Sequence, residues 1–282
     1  MKKISVIGAG TMGRGIAQVS ALAGYEVVLF DIGQELLDEA WASMQASIDK
    51  GVARGKTKSE AAEWAKTAVS LTTSLADVAQ VDLVIEAAPE KLDLKRQIFA
   101  ELDANAPEHT ILASNTSSLS INAIASATQR PDRVIGLHFF NPAHIMKLVE
   151  VIRSDDTSKE TAVAATNYVD RIGKTAVLCQ DTPAFIVNRV ARPFYSEAFR
   201  MLGEGVTDVA TIDRLIESMG FRMGPFTLID LIGCDVNLAV TKSVYNAYFQ
   251  EPKYRPHFLQ QRTVDSGRLG RKTGRGFYDY RD

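Results

Sequence analysis

Ile4-Ser5-Val6-Ile7-Gly8-Ala9-Gly10-Thr11-Met12-Gly13 lies at the start of the chain, and Asp31 comes eighteen residues after the last of its glycines. Apolar Ile4, Val6 and Ile7 predict a buried parallel strand, and the pattern over residues 11–23 predicts the helix that leaves it. Between them, Gly8 permits the tight turn, Gly10 lets the backbone approach a pyrophosphate, and Gly13 lets the helix pack on the strand. Thr11 and Met12 begin that helix, whose N–H groups and positive dipole end suit phosphate oxygens. A second strand over residues 25–30 delivers Asp31 to where a carboxylate accepts hydrogen bonds from both hydroxyls of a ribose. The stretch therefore predicts a dinucleotide site, and NAD rather than NADP. A carboxylate repels a 2′-phosphate, and residues 32–36 offer no Arg to receive one. The alternative for Asp31 is a cap on the helical segment beginning at Gln34.

Size and composition set the frame around this motif. With 282 residues, 46% of them hydrophobic, the chain can fill the cores of two ordinary domains. A net charge of −2 argues against a nucleic-acid surface. The two cysteines, Cys179 and Cys234, form neither CxxC nor a metal-ligand pattern, so no metal is expected, and a reducing cytoplasm with buried, inert thiols is. Met1-Lys2-Lys3 resembles the start of a signal peptide, but the apolar run behind it stops at Gly8. No stretch has the length and apolarity of a membrane span.

Strand-like runs recur at residues 4–7, 27–30, 83–87, 110–113, 134–137, 148–152 and 176–178, mostly separated by helical patterns. This alternation predicts an α/β fold of Rossmann type, a doubly wound, mainly parallel sheet with ligand sites beyond the carboxyl ends of its strands. Residues 34–53 and 59–68 are both helical in pattern and exceed what a simple crossover needs, so a helical hairpin projecting from the sheet is expected. After Asp181-Thr182-Pro183 the strand pattern stops and residues 184–267 read as helices, one capped by Thr207. The expected domains are thus residues 1–183, dinucleotide-binding, and residues 184–282, all-helical. The C-terminal helices are apolar on more than one face, which points to a homodimer formed through them, the alternative being packing onto the first domain.

A dinucleotide fold supplies a cofactor but not a reaction. His138 comes directly after the apolar run 134–137 and so stands at a strand's carboxyl end, where a nicotinamide would lie. Glu150, twelve residues on, is flanked by Leu148, Val149, Val151 and Ile152. A carboxylate among such neighbours needs a partner, and His138 is the natural one. Imidazole can take the proton of a secondary alcohol while hydride leaves the carbon, with the carboxylate fixing its tautomer. The alternative is a histidine hydrogen-bonded for structure alone. Ser117 approaches the same sheet edge, or caps the helical segment from Ser120. Asn188, polar in the apolar run 185–189, can hydrogen-bond a substrate oxygen or anchor the linker between domains.

These residues lie in a longer ordered series. It comprises Gly8-Ala9-Gly10-Thr11-Met12-Gly13, Val84-Ile85-Glu86-Ala87-Ala88-Pro89-Glu90, Ala113-Ser114-Asn115-Thr116-Ser117-Ser118-Leu119 and His138-Phe139-Phe140-Asn141-Pro142 with Met146-Lys147-Leu148-Val149-Glu150. Asp181-Thr182-Pro183-Ala184-Phe185-Ile186-Val187-Asn188-Arg189, Met223-Gly224-Pro225-Phe226 and Lys272-Thr273-Gly274-Arg275-Gly276-Phe277-Tyr278 complete it. In this the whole chain resembles the short-chain L-3-hydroxyacyl-CoA dehydrogenases, especially the bacterial, free-standing 3-hydroxybutyryl-CoA dehydrogenases. The resemblance implies His138 as the general base of alcohol oxidation, Glu150 as its orienting partner, and Ser117 and Asn188 as ligands of the substrate oxygens. It also implies dinucleotide contacts by Asp31, Glu90, Lys95, Asn115, Ser117, Asn141 and Lys272, and an acyl-CoA substrate. In this family the hairpin contacts coenzyme A, and Ser47, Lys50 and Arg54 fall on one helical face by their spacing. That face is a coenzyme A site or simply a solvated basic one. Side chains depart from relatives chiefly at Ala88-Pro89 and Ala143-His144-Ile145. Rival functions for the same architecture are a sugar-acid dehydrogenase acting on an L-gulonate-like substrate and a non-catalytic dinucleotide-binding protein.

Overall fold

The structure is a computed structural model that describes residues 1–281. It divides into two compact units, Met1–Thr182 and Pro183–Asp282.

The first unit is an eight-stranded sheet flanked by helices. In chain order it runs β1 (Lys3–Ile7), α1 (Thr11–Leu22), β2 (Glu26–Phe30), α2 (Gln34–Ala53), α3 (Ser59–Ala68), β3 (Val69–Thr72), α4 (Leu75–Ala79) and β4 (Leu83–Glu86). Next come α5 (Leu92–Asn105), β5 (Ile111–Ser114), α6 (Ile121–Ala125), β6 (Val134–Phe139), β7 (Leu148–Arg153), α7 (Lys159–Arg171) and β8 (Thr175–Gln180). The strand order is β3-β2-β1-β4-β5-β6-β7-β8. All neighbours are parallel except β6 and β7. The order reverses between β1 and β4, so a crevice opens beyond their carboxyl ends, where such sheets bind ligands. β3 is a strand the apolar pattern does not announce. Only β2 pairs with it, and none of its four residues is buried, so nothing forces an apolar run there.

The hairpin α2–α3 does not merely project. Its stripe of Leu37, Ala40, Met44 and Ile48 at helical spacing is buried in the same core as Ile16, Ala17 and Ala21 of α1. Ser47 accepts a hydrogen bond from Gln18 Nε2 on α1 at 3.1 Å.

The second unit is helical, with α8 (Val187–Gly203), α9 (Val209–Ser218), α10 (Pro225–Ile232), α11 (Cys234–Ala247) and α12 (Phe258–Asp265). Its main core gathers Tyr195, Phe199, Ile212, Phe226, Ile229 and Leu259. Asp208, not Thr207, caps α9, accepting from the Thr211 N–H at 2.8 Å. The Asp208 carboxylate sits one residue nearer the first turn than the Thr207 hydroxyl and reaches the third helical amide. Among the described residues, no helix is long and apolar enough to cross a membrane.

Candidate active site

β1 ends at Ile7, and the chain turns sharply through Gly8 at φ +99°. A Cβ on Gly8 would meet the Ala87 carbonyl oxygen at 2.7 Å, so the loop passes β4 at backbone contact distance. A Cβ on Gly13 would stand 1.7 Å from the Gly8 oxygen, which makes glycine the only residue that lets α1 close on the turn. A Cβ on Gly10, by contrast, would have nothing within 4 Å. Bare backbone therefore faces open space at the start of α1, where first-turn N–H groups lack intrahelical acceptors. The adjoining cavity of about 640 Å³ is lined by Gly8, Gly10, Thr11, Asp31, Ala88 and Ile98 among others. A pyrophosphate fits such a cradle.

Asp31 Oδ2 accepts from the Ala9 N–H at 2.7 Å and Oδ1 from the Ile32 N–H at 2.8 Å. It does not cap α2, whose N-cap residue is Gly33. Its carboxylate braces the glycine turn from the tip of β2 and lines the cavity.

A second polar cluster grows at the ends of β4 and β5. Glu86, fully buried, accepts from Lys95 Nζ (2.6 Å), the Ala88 N–H (2.7 Å) and Ser114 Oγ (2.6 Å). Lys95, 1% exposed, also lies 3.5 Å from Glu90 Oε2. Glu90 Oε1 accepts from Thr116 Oγ1 (2.6 Å), the Ser117 N–H (2.8 Å) and Ser117 Oγ (3.2 Å). Burial alone would raise the Glu90 pKa, but the Thr116 hydroxyl, the Lys95 charge and the Ser117 donors together hold it below the usual carboxylate range. Ser117 is thus bound to Glu90, and Ser120 caps α6 by accepting from the Ala123 N–H at 3.1 Å. Residue-by-residue reading passed over Glu86, Ser114 and Thr116. Glu86, which closes the apolar run of β4, carried much the same signal as Glu150, a carboxylate among apolar strand residues.

His138 and Glu150 face each other across the antiparallel β6–β7 pair, partners in register. Directly opposed residues project to the same face, and His138 Nδ1 stands 2.6 Å from Glu150 Oε2 with both side chains buried. A carboxylate opposite Nδ1 puts the proton there and leaves Nε2 with the basic lone pair. The Phe140 ring packs against the imidazole, centroids 4.4 Å apart. Asn115 Oδ1 accepts from the Phe139 N–H at 2.9 Å, tying the end of β5 to the residue after the histidine. Cys179 on β8 feels the same carboxylate: burial first, then Glu150 and Asp181, push its thiol up to about 12. Burial likewise pushes Cys234 up to about 12. Cys234 is buried as expected, whereas Cys179 is only half-buried.

The first unit thus holds the glycine turn, Asp31, Glu90, Lys95, Asn115, Ser117, His138 and Glu150, with Asn141 exposed just beyond β6. On α2, Ser47 is half-buried and Lys50 exposed, and exposed Arg54 is the residue that ends the helix. Asn188 and Lys272 belong to the second unit. Asn188 is in the first turn of α8, and Lys272 Nζ pairs with Asp235 at 2.6 Å.

Comparison with known proteins agrees with this geometry. The family model for the 3-hydroxyacyl-CoA dehydrogenase NAD binding domain matches residues 3–182, and that for the C-terminal domain matches residues 185–280. A 3-hydroxyadipyl-CoA dehydrogenase of Escherichia coli is 48% identical over all of this chain, which spans 59% of that relative's length. A 3-hydroxybutyryl-CoA dehydrogenase of Bradyrhizobium diazoefficiens is 44% identical, the match covering 100% of this chain and 96% of the relative. The crystal structure of (S)-3-hydroxybutyryl-CoA dehydrogenase from Ralstonia eutropha superposes with a TM-score of 0.96 at 41% identity, both chains being covered in full. With both of its halves matched, and NAD as the dinucleotide its first half is built to bind, this chain belongs to the 3-hydroxyacyl-CoA dehydrogenase family.

Proposed function

We propose that this protein catalyses the reversible oxidation of an (S)-3-hydroxyacyl-CoA, foremost 3-hydroxybutyryl-CoA, to the 3-oxoacyl-CoA. The observation that carries the reading is the buried His138–Glu150 pair at the end of β6, in the unit that bears the dinucleotide cradle. Bound NAD supplies the acceptor for the hydride that leaves C3. His138 Nε2 takes the hydroxyl proton as the C3–O bond becomes a carbonyl, and the reverse reaction returns that proton to the alkoxide oxygen. Glu150 holds the tautomer and stabilises the imidazolium formed in oxidation. Ser117 and Asn188 bind the substrate oxygens and aim C3, so that orientation supplies much of the barrier reduction.

Gly8, Gly10, Thr11, Met12 and Gly13 cradle the pyrophosphate and Asp31 takes the ribose. Glu90, Lys95, Asn115, Ser117, Asn141 and Lys272 complete the cofactor contacts. Ser47, Lys50 and Arg54 meet the nucleotide end of coenzyme A. We place the enzyme in the cytoplasm as a homodimer formed through the second unit, a reading supported by the exposed Val206, Leu215, Met219, Phe221, Phe249 and Phe258 on its helices and turns. Analytical ultracentrifugation giving a monomer at micromolar concentration would remove the dimer from this reading.

The test of the reaction is loss of NADH absorbance on adding acetoacetyl-CoA, with 3-oxoadipyl-CoA in parallel because the names of the relatives divide between the two chains. His138→Gln should lower kcat by about 10²–10⁴ while leaving NADH affinity nearly unchanged. Undiminished turnover in that variant defeats the assignment.

A further inference from the structure

Arg192, on α8, is the one buried cation among the described residues of the second unit, 4% exposed. Its Nε donates to the Asn188 main-chain oxygen at 3.2 Å. Nη1 donates to the Asn237 main-chain oxygen at 3.1 Å and to Thr241 Oγ1 at 3.0 Å. The Tyr195 ring centroid lies 4.9 Å from its Cζ. Among the described residues no carboxylate pairs with the guanidinium, and nothing accepts from Nη2. Burial pushes its pKa down to about 10, which still leaves it charged at neutral pH. A buried cation is ordinarily matched by an anion, as Glu86 matches Lys95 in the first unit.

The groups around Arg192 deepen the imbalance. Asn237, on α11, is fully buried, and its Oδ1 accepts from Gln260 Nε2 of α12 at 2.7 Å, while its Nδ2 has no partner. Thr241 Oγ1 already donates to the Asn237 main-chain oxygen at 2.8 Å. Three helices thus bury a guanidinium and two carboxamides with more donors than acceptors. Were the cluster there only to hold the helices together, apolar side chains of similar volume would do so at less cost. A carboxylate has what the cluster lacks: it only accepts, at two oxygens, and it carries the opposite charge.

The cluster's place on α8 says which carboxylate. Asn188, proposed above to hold a substrate oxygen, is one turn before Arg192, and the Nε contact folds the guanidinium back beside that turn. The C3 oxygen of an extended acyl chain and a carboxylate ending that chain at C6 stand about 6 Å apart, close to the helix pitch of about 5.4 Å.

We infer that Arg192, assisted by Asn237, selects acyl chains that end in a carboxylate, so that the CoA thioester of a six-carbon 3-hydroxy diacid is preferred over its uncharged isostere. This rests on the acyl-CoA reading and on Asn188 as a ligand of the substrate oxygen.

3-Oxoadipyl-CoA and 3-oxohexanoyl-CoA, equal in length and differing only in a terminal carboxylate against a methyl, separate this from a structural role. Both are reduced with NADH by wild type, Arg192→Met and Arg192→Lys, and a thermal melt is recorded for each protein. Wild type should favour the diacid in kcat/KM, chiefly through KM. Arg192→Met should lower that preference about tenfold to a hundredfold, the size of a lost charge-assisted hydrogen bond. Arg192→Lys, which keeps the charge without the fork, should lower it severalfold, and it carries the comparison if Arg192→Met does not fold. No preference in wild type overturns the inference whatever the variants do. Equal losses on both thioesters with a lowered Tm, or an unchanged preference in the folded variants, overturn it too and leave Arg192 to hold α8 on α11. Wild-type protein that turns over neither these thioesters nor acetoacetyl-CoA overturns the functional reading instead.

Discussion

Glu90 carries a charge whose stability depends on what binds it. Its carboxylate, partly exposed, accepts from Thr116 and from both donors of Ser117, with Lys95 at 3.5 Å. These partners depress its pKa in the folded chain despite burial. A carboxylate with a folded pKa below its unfolded one stabilises the fold above the unfolded value, about 4.3, and loses that contribution as pH falls through the folded value. Glu90→Gln should therefore be less stable than wild type at pH 6, with the gap narrowing toward pH 3. A gap in urea midpoints that is constant over this range would show the charge to be irrelevant. His138 and Glu150 were legible as single residues because each interrupts or ends an apolar strand. Their 2.6 Å separation and the tautomer it imposes came only with the strand pairing.

Gly13 and the Glu86–Lys95 pair act through the elements they join. Gly13→Ala drives a methyl to 1.7 Å from the Gly8 oxygen, so α1 must lift from the turn at a cost of about 3 kcal/mol or more. A fall of roughly 10 °C in Tm is expected for a unit of this size. Thermal melts of the purified variant check it, and a loss of NADH affinity should accompany the shift. Glu86 and Lys95 tie β4 to α5 through two nearly inaccessible charges. Lys95→Met leaves the carboxylate with only the Ala88 and Ser114 donors, a loss of about 3 kcal/mol. The double variant Glu86→Gln/Lys95→Met should recover part of it, because the buried charge is then gone. A double variant worse than the single one would show that the pair contributes more than mutual neutralisation. The pair was not legible beforehand, since the eight residues of intervening turn and helix give no hint that α5 swings Lys95 under the end of β4.

The two units have separate cores, and both tryptophans, Trp41 and Trp64, lie in the first, on α2 and α3. In the second, buried Asp230 accepts from the Phe277 and Tyr278 N–H groups at 3.0 and 2.9 Å, and Tyr278 Oη donates to buried Asp213 at 2.9 Å. The C-terminal segment is therefore clamped to α9 and α10. Asp230→Ala strands two half-buried amides and should cost about 2 kcal/mol. The helical signal in far-UV circular dichroism should then melt earlier, while tryptophan fluorescence keeps its wild-type midpoint. Coincident shifts in both signals would show that the units unfold as one.

The sequence by itself determined the class of fold and the kind of ligand. Apolar periodicity dictates strand or helix locally, and a turn that only glycine can make leaves little freedom to the helix it opens. It also marked His138 and Glu150, because polar side chains within or at the ends of buried strands are costly without a partner, and Ser117, because it follows a strand toward the same sheet edge. Tertiary structure alone decided that β3 pairs at the edge, that Asp31 braces the glycine turn rather than a helix, and that Glu86, Lys95, Glu90 and Ser117 form one network. Hydrogen bonds between residues distant along the chain depend on register and on where a crossover lands, and neither is written in any local pattern.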